Sequence, residues 1–251
     1  MTIFRNIVRF FNKFEYKYIS DEKDGYSMAI DTNGRLILIN NYYNPKYTTG
    51  YKFPDIMHDK IMWSDDKIIL VKGFKLYNFN RNLQIIKELP FELSREKSIA
   101  SSFYSVGNGL YIIGINKNGK YQKGVIDVDG NIMIPFEYES CRHITKNTFA
   151  VGNFNKTDIY EISGKTAVVK KQIEAEYSCY KKYKDKIFFE FVLHSQGSQS
   201  NMYGLYDQNF NQVIDLECDS LGCIDKGGKI SLIKNGKVGF FNIYTSEVKY
   251  W

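Results

Sequence analysis

The sequence predicts an all-β fold, a six-bladed β-propeller of about 42 residues per blade. Three observations predict it. A phrase of two apolar residues, an acidic or amide residue, a turn and further apolar residues recurs along the 251 residues. Asn-Gly and Asp-Gly dipeptides, which accept the positive φ of tight hairpins, punctuate the apolar runs. Helix signals are scarce: 5 Ala stand against 20 Tyr and 18 Phe, and no stripe at helical spacing persists after residue 14. The whole chain, 1–251, is expected to form one propeller domain.

Taken in order, the first element is the segment 1–14. Two readings stay open for it. It is a strand that closes the ring by completing the last blade, or an amphipathic helix capped by Thr2, with Ile3, Ile7, Phe10, Phe11 and Phe14 on its packed face. Arg5, Asn6, Arg9 and Asn12 interrupt the apolar run and no small-residue cleavage site follows, so no secretory signal is expected. The repeated phrase then begins at Ala29-Ile30-Asp31-Thr32-Asn33-Gly34 and returns at Leu76-Tyr77-Asn78-Phe79-Asn80. Its clearest copy is Val125-Ile126-Asp127-Val128-Asp129-Gly130-Asn131-Ile132. Ile159-Tyr160-Glu161-Ile162, Leu205-Tyr206-Asp207-Gln208-Asn209 and Phe240-Phe241-Asn242-Ile243 follow. The predicted anchors of the six blades are therefore Asp31, Asn78, Asp127, Glu161, Asp207 and Asn242. Two-residue hairpins are expected at Asp24-Gly25, Asn33-Gly34, Asn118-Gly119, Asp129-Gly130 and Asn235-Gly236. In the third unit the predicted strands are Leu110–Ile115, Gly124–Val128 and Asn131–Ile134, with a further one near Tyr138–Ile144. In the sixth they are Lys229–Ile233, Val238–Ile243 and Glu247–Tyr250. That unit counts one strand short, which is what motivates the first of the two readings of segment 1–14, the closing strand.

Charge and chemistry exclude more than they assign. The net charge is +6, but 28 of the 34 basic residues are Lys. Readers of nucleic acid rely on the bidentate fork of Arg, so no nucleic-acid partner is expected. No run of eighteen apolar residues occurs, and no membrane partner is expected. Cys141, Cys179, Cys218 and Cys223 form no CxxC pair and read as reduced thiols of a cytoplasmic protein, although Cys218 and Cys223 flank one turn. His58, His143 and His194 lack metal-ligand spacing, so no metal is expected. His143 reads as a satisfied structural histidine on a strand. No GxSxG accompanies the serines after His194, and Gly107-Asn108-Gly109 and Asp225-Lys226-Gly227-Gly228 lack phosphate-loop context. Asp31, Asp127 and Asp207 recur once per unit, as turn formers do whose carboxylates bond nearby backbone. No catalytic residue and no cofactor are expected, and the chain is read as not an enzyme.

The stretch Lys123-Gly124-Val125-Ile126-Asp127, followed by Gly130, Ile134-Pro135 and Tyr138, resembles the bacterial WG repeat. Tyr203-Gly204-Leu205-Tyr206-Asp207 and Val238-Gly239-Phe240-Phe241-Asn242 share its core. Lys123, Tyr203 and Val238 stand where that repeat carries Trp. The resemblance is clearest over residues 110–251. It implies architecture and is nearly silent on activity.

Recognition is what remains. Repeat arrays present loops that bind partners without rearranging. Asn40–Asp55 is read as a loop rich in Tyr, the residue that gives large contact area at low entropic cost. Its expected contact residues are Tyr42, Tyr43, Lys46, Tyr47, Tyr51 and Lys52. The predicted hairpin tip from His194 to Asn201 adds His194, Gln196, Gln199 and Asn201. The leading functional expectation is a monomeric bacterial immunity protein that blocks the active site of a cognate toxin domain, for instance a nuclease. The alternatives are a general interaction scaffold and a propeller binding surface ligands or glycans. A charge of +6 suits a basic nuclease only if an acidic patch survives on one face.

Overall fold

The computed structural model describes residues 16–19, 26–31, 35–40, 45–52, 61–64, 67–72, 74–80, 85–97, 102–145, 147–195 and 200–251. Among these the chain forms only strands. The first sheet holds β1 (Tyr16–Ile19), β2 (Tyr26–Asp31), β3 (Arg35–Asn40) and β4 (Pro45–Lys52). The second holds β5 (Ile61–Ser64), β6 (Lys67–Lys72), β7 (Lys75–Asn80) and β8 (Ile85–Glu92). The third holds β9 (Phe103–Gly107), β10 (Leu110–Lys117), β11 (Lys120–Asp127) and β12 (Ile132–Tyr138). The fourth holds β13 (Ser140–Thr145), β14 (Thr148–Asn153), β15 (Lys156–Ser163) and β16 (Thr166–Ile173). The fifth holds β17 (Glu176–Tyr183), β18 (Lys186–Leu193), β19 (Met202–Tyr206) and β20 (Gln212–Cys218). The sixth holds β21 (Ser220–Ile224), β22 (Lys229–Lys234), β23 (Lys237–Asn242) and β24 (Glu247–Tyr250). In every sheet neighbours in sequence are neighbours in space.

Two compact units divide the chain, residues 1–137 and 138–251. In the first, Ile69, Val71, Leu76 and Leu89 of the second sheet pack with Phe103, Tyr111, Ile113, Ile126 and Phe136 of the third. In the second, one core joins Ala150, Ile159 and Ile173 to Phe189, Phe191 and Tyr206. A further core joins Phe188, Leu205, Ile214 and Cys218 of the fifth sheet to Ile230, Leu232, Phe241 and Ile243 of the sixth. Period-two alternation supplies these faces: along β22 buried Ile230 and Leu232 alternate with exposed Lys229, Ser231 and Ile233.

The fourth strand of each sheet is an edge, and its chemistry fits one. Pro45, Pro90 and Pro135 all stand on fourth strands, where a missing N–H breaks no inner ladder. β24 is exposed along its length.

Several expectations are corrected. The sixth sheet is complete, because Ser220–Ile224 supplies its first strand. The miscount came from phase: Tyr138–Ile144 is not one strand of the third unit but the end of β12 and the start of β13, in two different sheets. The strand count that made segment 1–14 the closing strand therefore falls away, and the segment itself lies outside the described residues. Asp127, Asp207 and Asn242 do occupy equivalent places at the ends of third strands, whereas Asp31 ends a second strand. Asn78 and Glu161 sit two residues short of their strand ends. Asn118-Gly119 and Asn235-Gly236 close two-residue hairpins with positive φ at both residues. Asp129-Gly130 does not: only Gly130 has positive φ, inside the four-residue connection 128–131. Asp24-Gly25 and Asn33-Gly34 lie outside the described residues.

The motif glycines have a common cause. A Cβ at Gly124 would stand 2.6 Å from the Ile134 carbonyl oxygen and 2.7 Å from Phe136 Cδ1. At Gly204 it would meet Leu216 Cγ at 2.9 Å and the Ile214 carbonyl at 3.0 Å, and at Gly239 the Lys249 carbonyl. In all three the fourth strand crosses so close to the third that a side chain has no room.

Candidate functional site

The Tyr-rich segment is not the loop expected. Lys46, Tyr47, Tyr51 and Lys52 belong to β4, with Tyr47 opposite Leu38 and Lys52 opposite Arg35. Tyr and Thr favour a pleated strand, and Pro45 opens it at an edge position. Tyr42, Tyr43 and His58 lie outside the described residues, as do Gln196 and Gln199.

His194 and Asn201 bound the connection between β18 and β19. His194 is pinned rather than free. Its backbone N–H donates to Asn155 Oδ1 at 2.8 Å, and Asn155 Nδ2 donates to its carbonyl at 2.6 Å. Its ring stacks on Phe154 at 5.8 Å and Nε2 lies 3.1 Å from Glu176 Oε2. His143 lies on β13 beside Phe149, with ring centroids 5.3 Å apart. Its Nε2 is buried without a hydrogen-bond partner, so the expected satisfied histidine is only half realised.

The carboxylates of the repeated phrase are occupied by their own turns. Asp127 Oδ1 accepts the N–H groups of Asp129 and Asn131, and Oδ2 accepts Asn131 Nδ2. Asp207 repeats the arrangement with Asn209 and Asn211. Asp225, between β21 and β22, holds the N–H groups of Gly227 and Lys229. Glu190 accepts Ser178 Oγ at 2.9 Å and pairs with Lys181 Nζ at 2.9 Å. Burial, with the Glu190 charge second, raises the pKa of the neighbouring Cys179 thiol, opposite to what a nucleophilic cysteine needs. Cys218 is likewise raised by burial, and all four cysteines are free thiols. Among the described residues no group of three His, Cys, Asp or Glu could hold a metal ion.

What the second unit does present is a cluster of tyrosines and lysines at one end of its fifth and sixth sheets. The turns β17–β18 and β19–β20 emerge at one end of the fifth sheet, and β21–β22 and β23–β24 at one end of the sixth. Side chains join the two ends. Tyr183 Oη donates to the Lys226 carbonyl at 2.6 Å, and Lys186 Nζ donates to the Ile243 carbonyl at 2.8 Å. Lys184 Nζ donates to Tyr244 Oη at 3.1 Å and lies 5.3 Å and 5.6 Å from the Tyr183 and Tyr244 ring centroids. Lys186 Nζ lies 5.5 Å from the Tyr244 ring. The Lys184 ammonium and the Tyr183 hydroxyl hold the Tyr244 pKa below the ordinary phenol value. Contact with Tyr244 in turn raises the pKa of Lys184. Tyr244 is 52% exposed. Beside the cluster opens a cleft of about 290 Å³, lined by Asp185, Lys186, Asp207, Asn209, Ile243 and Ser246 among others. Exposed aromatic area with cations over ring faces is the chemistry of contact surfaces.

Sequence reasoning missed this cluster because its members come from turns about sixty residues apart. One signal pointed to it. The two-residue hairpins 108–109, 118–119 and 235–236 use Asn-Gly with positive φ at both residues, but Lys184 holds φ 54° in a Lys-Asp turn.

No curated protein sequence matches the chain. Similar solved structures include the Neurospora crassa Pan2 WD40 domain, at 14% identity, covering 96% of this chain and 79% of that one, with a TM-score of 0.35. Kluyveromyces lactis Hsv2 gives 8% identity, 94% and 86% coverage and 0.48. BamB from Moraxella catarrhalis gives 10%, 91% and 73%, and 0.41. Scores of this size carry nothing about function. The sequence match is more specific: residues 124–155 and 203–237, each beginning on a third strand at or beside the crowded glycine and running into the next sheet, match the family model of the WG containing repeat.

Proposed function

We propose that this chain is a non-catalytic protein-binding module, its six sheets arranged as the blades of one propeller domain. Its finer role, in this reading, is that of a monomeric bacterial immunity protein, binding a cognate toxin domain and covering its active site in the cytoplasm. The observation that carries the binding reading is the Tyr183–Lys184–Lys186–Tyr244 cluster. It offers exposed aromatic and cationic groups on a rigid pair of sheets, where little ordering entropy is lost on association. Carboxylates that could serve acid–base chemistry are instead engaged in turns, as Asp127, Asp207 and Asp225 are. Four free thiols suit a reducing compartment. The immunity role is supported more thinly, by the biased composition and by an architecture suited to recognition.

The test is co-expression with the protein encoded next to this gene, followed by affinity capture and an assay of that protein's toxicity with and without this chain. A stoichiometric complex with inhibition in proportion to bound protein is the expected result. Neutralisation at substoichiometric amounts, abolished by a single carboxylate or histidine substitution that spares binding, overturns it in favour of an enzyme. A stable complex without loss of toxin activity leaves an interaction scaffold and removes the immunity role.

A further inference from the structure

We infer that the Lys184 turn is the point at which the partner is gripped, and that the partner presents an acidic protein segment there. This rests on the binding reading above and adds the chemistry of the contact.

Three observations carry it. The first is conformational. Asn108, Asn118 and Asn235 take positive φ at the first position of two-residue hairpins, as Asn readily does, while Phe74, Phe210 and Ser246 take it in connections elsewhere. Lys184 takes φ 54° at the corresponding point of the β17–β18 hairpin, a conformation unfavourable to a long side chain. The fold alone would be better served by Asn.

The second is charge. Four other lysines of the unit are neutralised by carboxylates: Lys170 by Glu161, Lys181 by Glu190, Lys234 by Glu217 and Lys249 by Glu247. Lys184 and Lys186 are held instead by uncharged oxygens, the Tyr244 phenol and the Ile243 carbonyl. An ammonium has three donors, so each retains N–H groups for an incoming carboxylate. Lys226 is exposed beside them.

The third is position. Asp207 and Asp225 are turned into their own backbone N–H groups. Asp185 lines the cleft next to Lys186. An acidic segment is therefore repelled from the cleft and laid across its rim, over Lys184 and the Tyr183 and Tyr244 rings.

The probe is a fluorescein-labelled octaglutamate peptide, titrated with the full chain and followed by anisotropy at low ionic strength. Saturable binding that weakens with salt is expected. Lys184→Asn, which suits the turn, should weaken it about tenfold while leaving the melting temperature equal or higher, so the loss is not unfolding. Lys186→Ala should weaken it similarly, Asp185→Asn should tighten it, and Lys170→Ala on β16 should leave it unchanged. Equal weakening by Lys170→Ala and Lys184→Asn overturns the inference, since the peptide then reads net charge. Equal binding of a short oligothymidylate, or full displacement by inorganic phosphate, overturns it in favour of a nucleic-acid or small-anion site. No binding of octaglutamate also overturns it, while capture of the co-encoded partner independently decides the binding reading.

Discussion

At the scale of single residues, the repeated Asp and the odd lysine play opposite parts. Asp127 satisfies two backbone N–H groups and one side-chain amide of its own turn. Asp127→Ala should cost about 0.5–1.5 kcal/mol, read from urea unfolding, because those partly solvated donors lose their acceptor. An unchanged midpoint would mean that water replaces the carboxylate at no cost. Lys184→Asn should move the other way, gaining about 0.5–1 kcal/mol by relieving the left-handed backbone. The turn-forming role of Asp127 and Asp207 was legible from their recurrence before a turn. The lysine cluster was not, since no local pattern joins Lys184 to Tyr244. Buried phenols add a pH dependence. Burial raises the Tyr177 pKa to about 12, and burial followed by a hydrogen bond with Tyr160 raises Tyr138 well above the phenol range. A phenol raised in the folded state keeps its proton there after the unfolded chain has lost it. Its stabilisation is complete below about pH 10 and is lost as pH rises through the folded value. The urea midpoint should fall above pH 10, and less steeply in Tyr177→Phe. Equal slopes in both proteins would contradict the assignment.

At the scale of elements, the pairing of third and fourth strands explains why the motif keeps glycine where its Trp is absent. Lys123, Tyr203 and Val238 differ in kind, yet Gly124, Gly204 and Gly239 each lie against a fourth strand. Gly124→Ala should destabilise by about 1–3 kcal/mol through forced backbone movement. Gly204→Ala should cost less, because the nearest atom, Leu216 Cγ, sits on a side chain that can shift. Thermal melts of the two variants decide this, and equal costs would mean the glycines answer to something other than close approach. Strand content and hairpins such as Asn118-Gly119 were legible because alternation and turn chemistry are local. Phase was not. A connection as short as Glu139 between β12 and β13 leaves no turn signal, so two strands in different sheets read as one. The segment Pro45–Lys52 failed similarly, since Tyr, Thr and Gly suit a loop and an edge strand alike.

At the scale of the whole molecule, each matched repeat runs from the third strand of one sheet through the second strand of the next, ending at or just before its third strand. Each matched repeat therefore spans two consecutive sheets. In the proposed ring this makes every sheet depend on its neighbours. Ending the chain at Asp219 removes β21–β24 and uncovers Phe188, Leu205 and Ile214. The truncated chain should aggregate or unfold without cooperativity. A soluble product with a sharp transition and a smaller m value would instead indicate a linear array, which tolerates loss of its end. In the proposed function the chain acts by binding through the tyrosine–lysine end of its fifth and sixth sheets. Hydrogen exchange of the full chain, with and without the protein encoded beside it, tests this most directly. Protection concentrated at residues 183–186 and 243–246 is the predicted footprint. Protection confined to Pro45–Lys52 or to the His194–Asn201 connection, with the 183–186 turn exchanging as in the free chain, would contradict it.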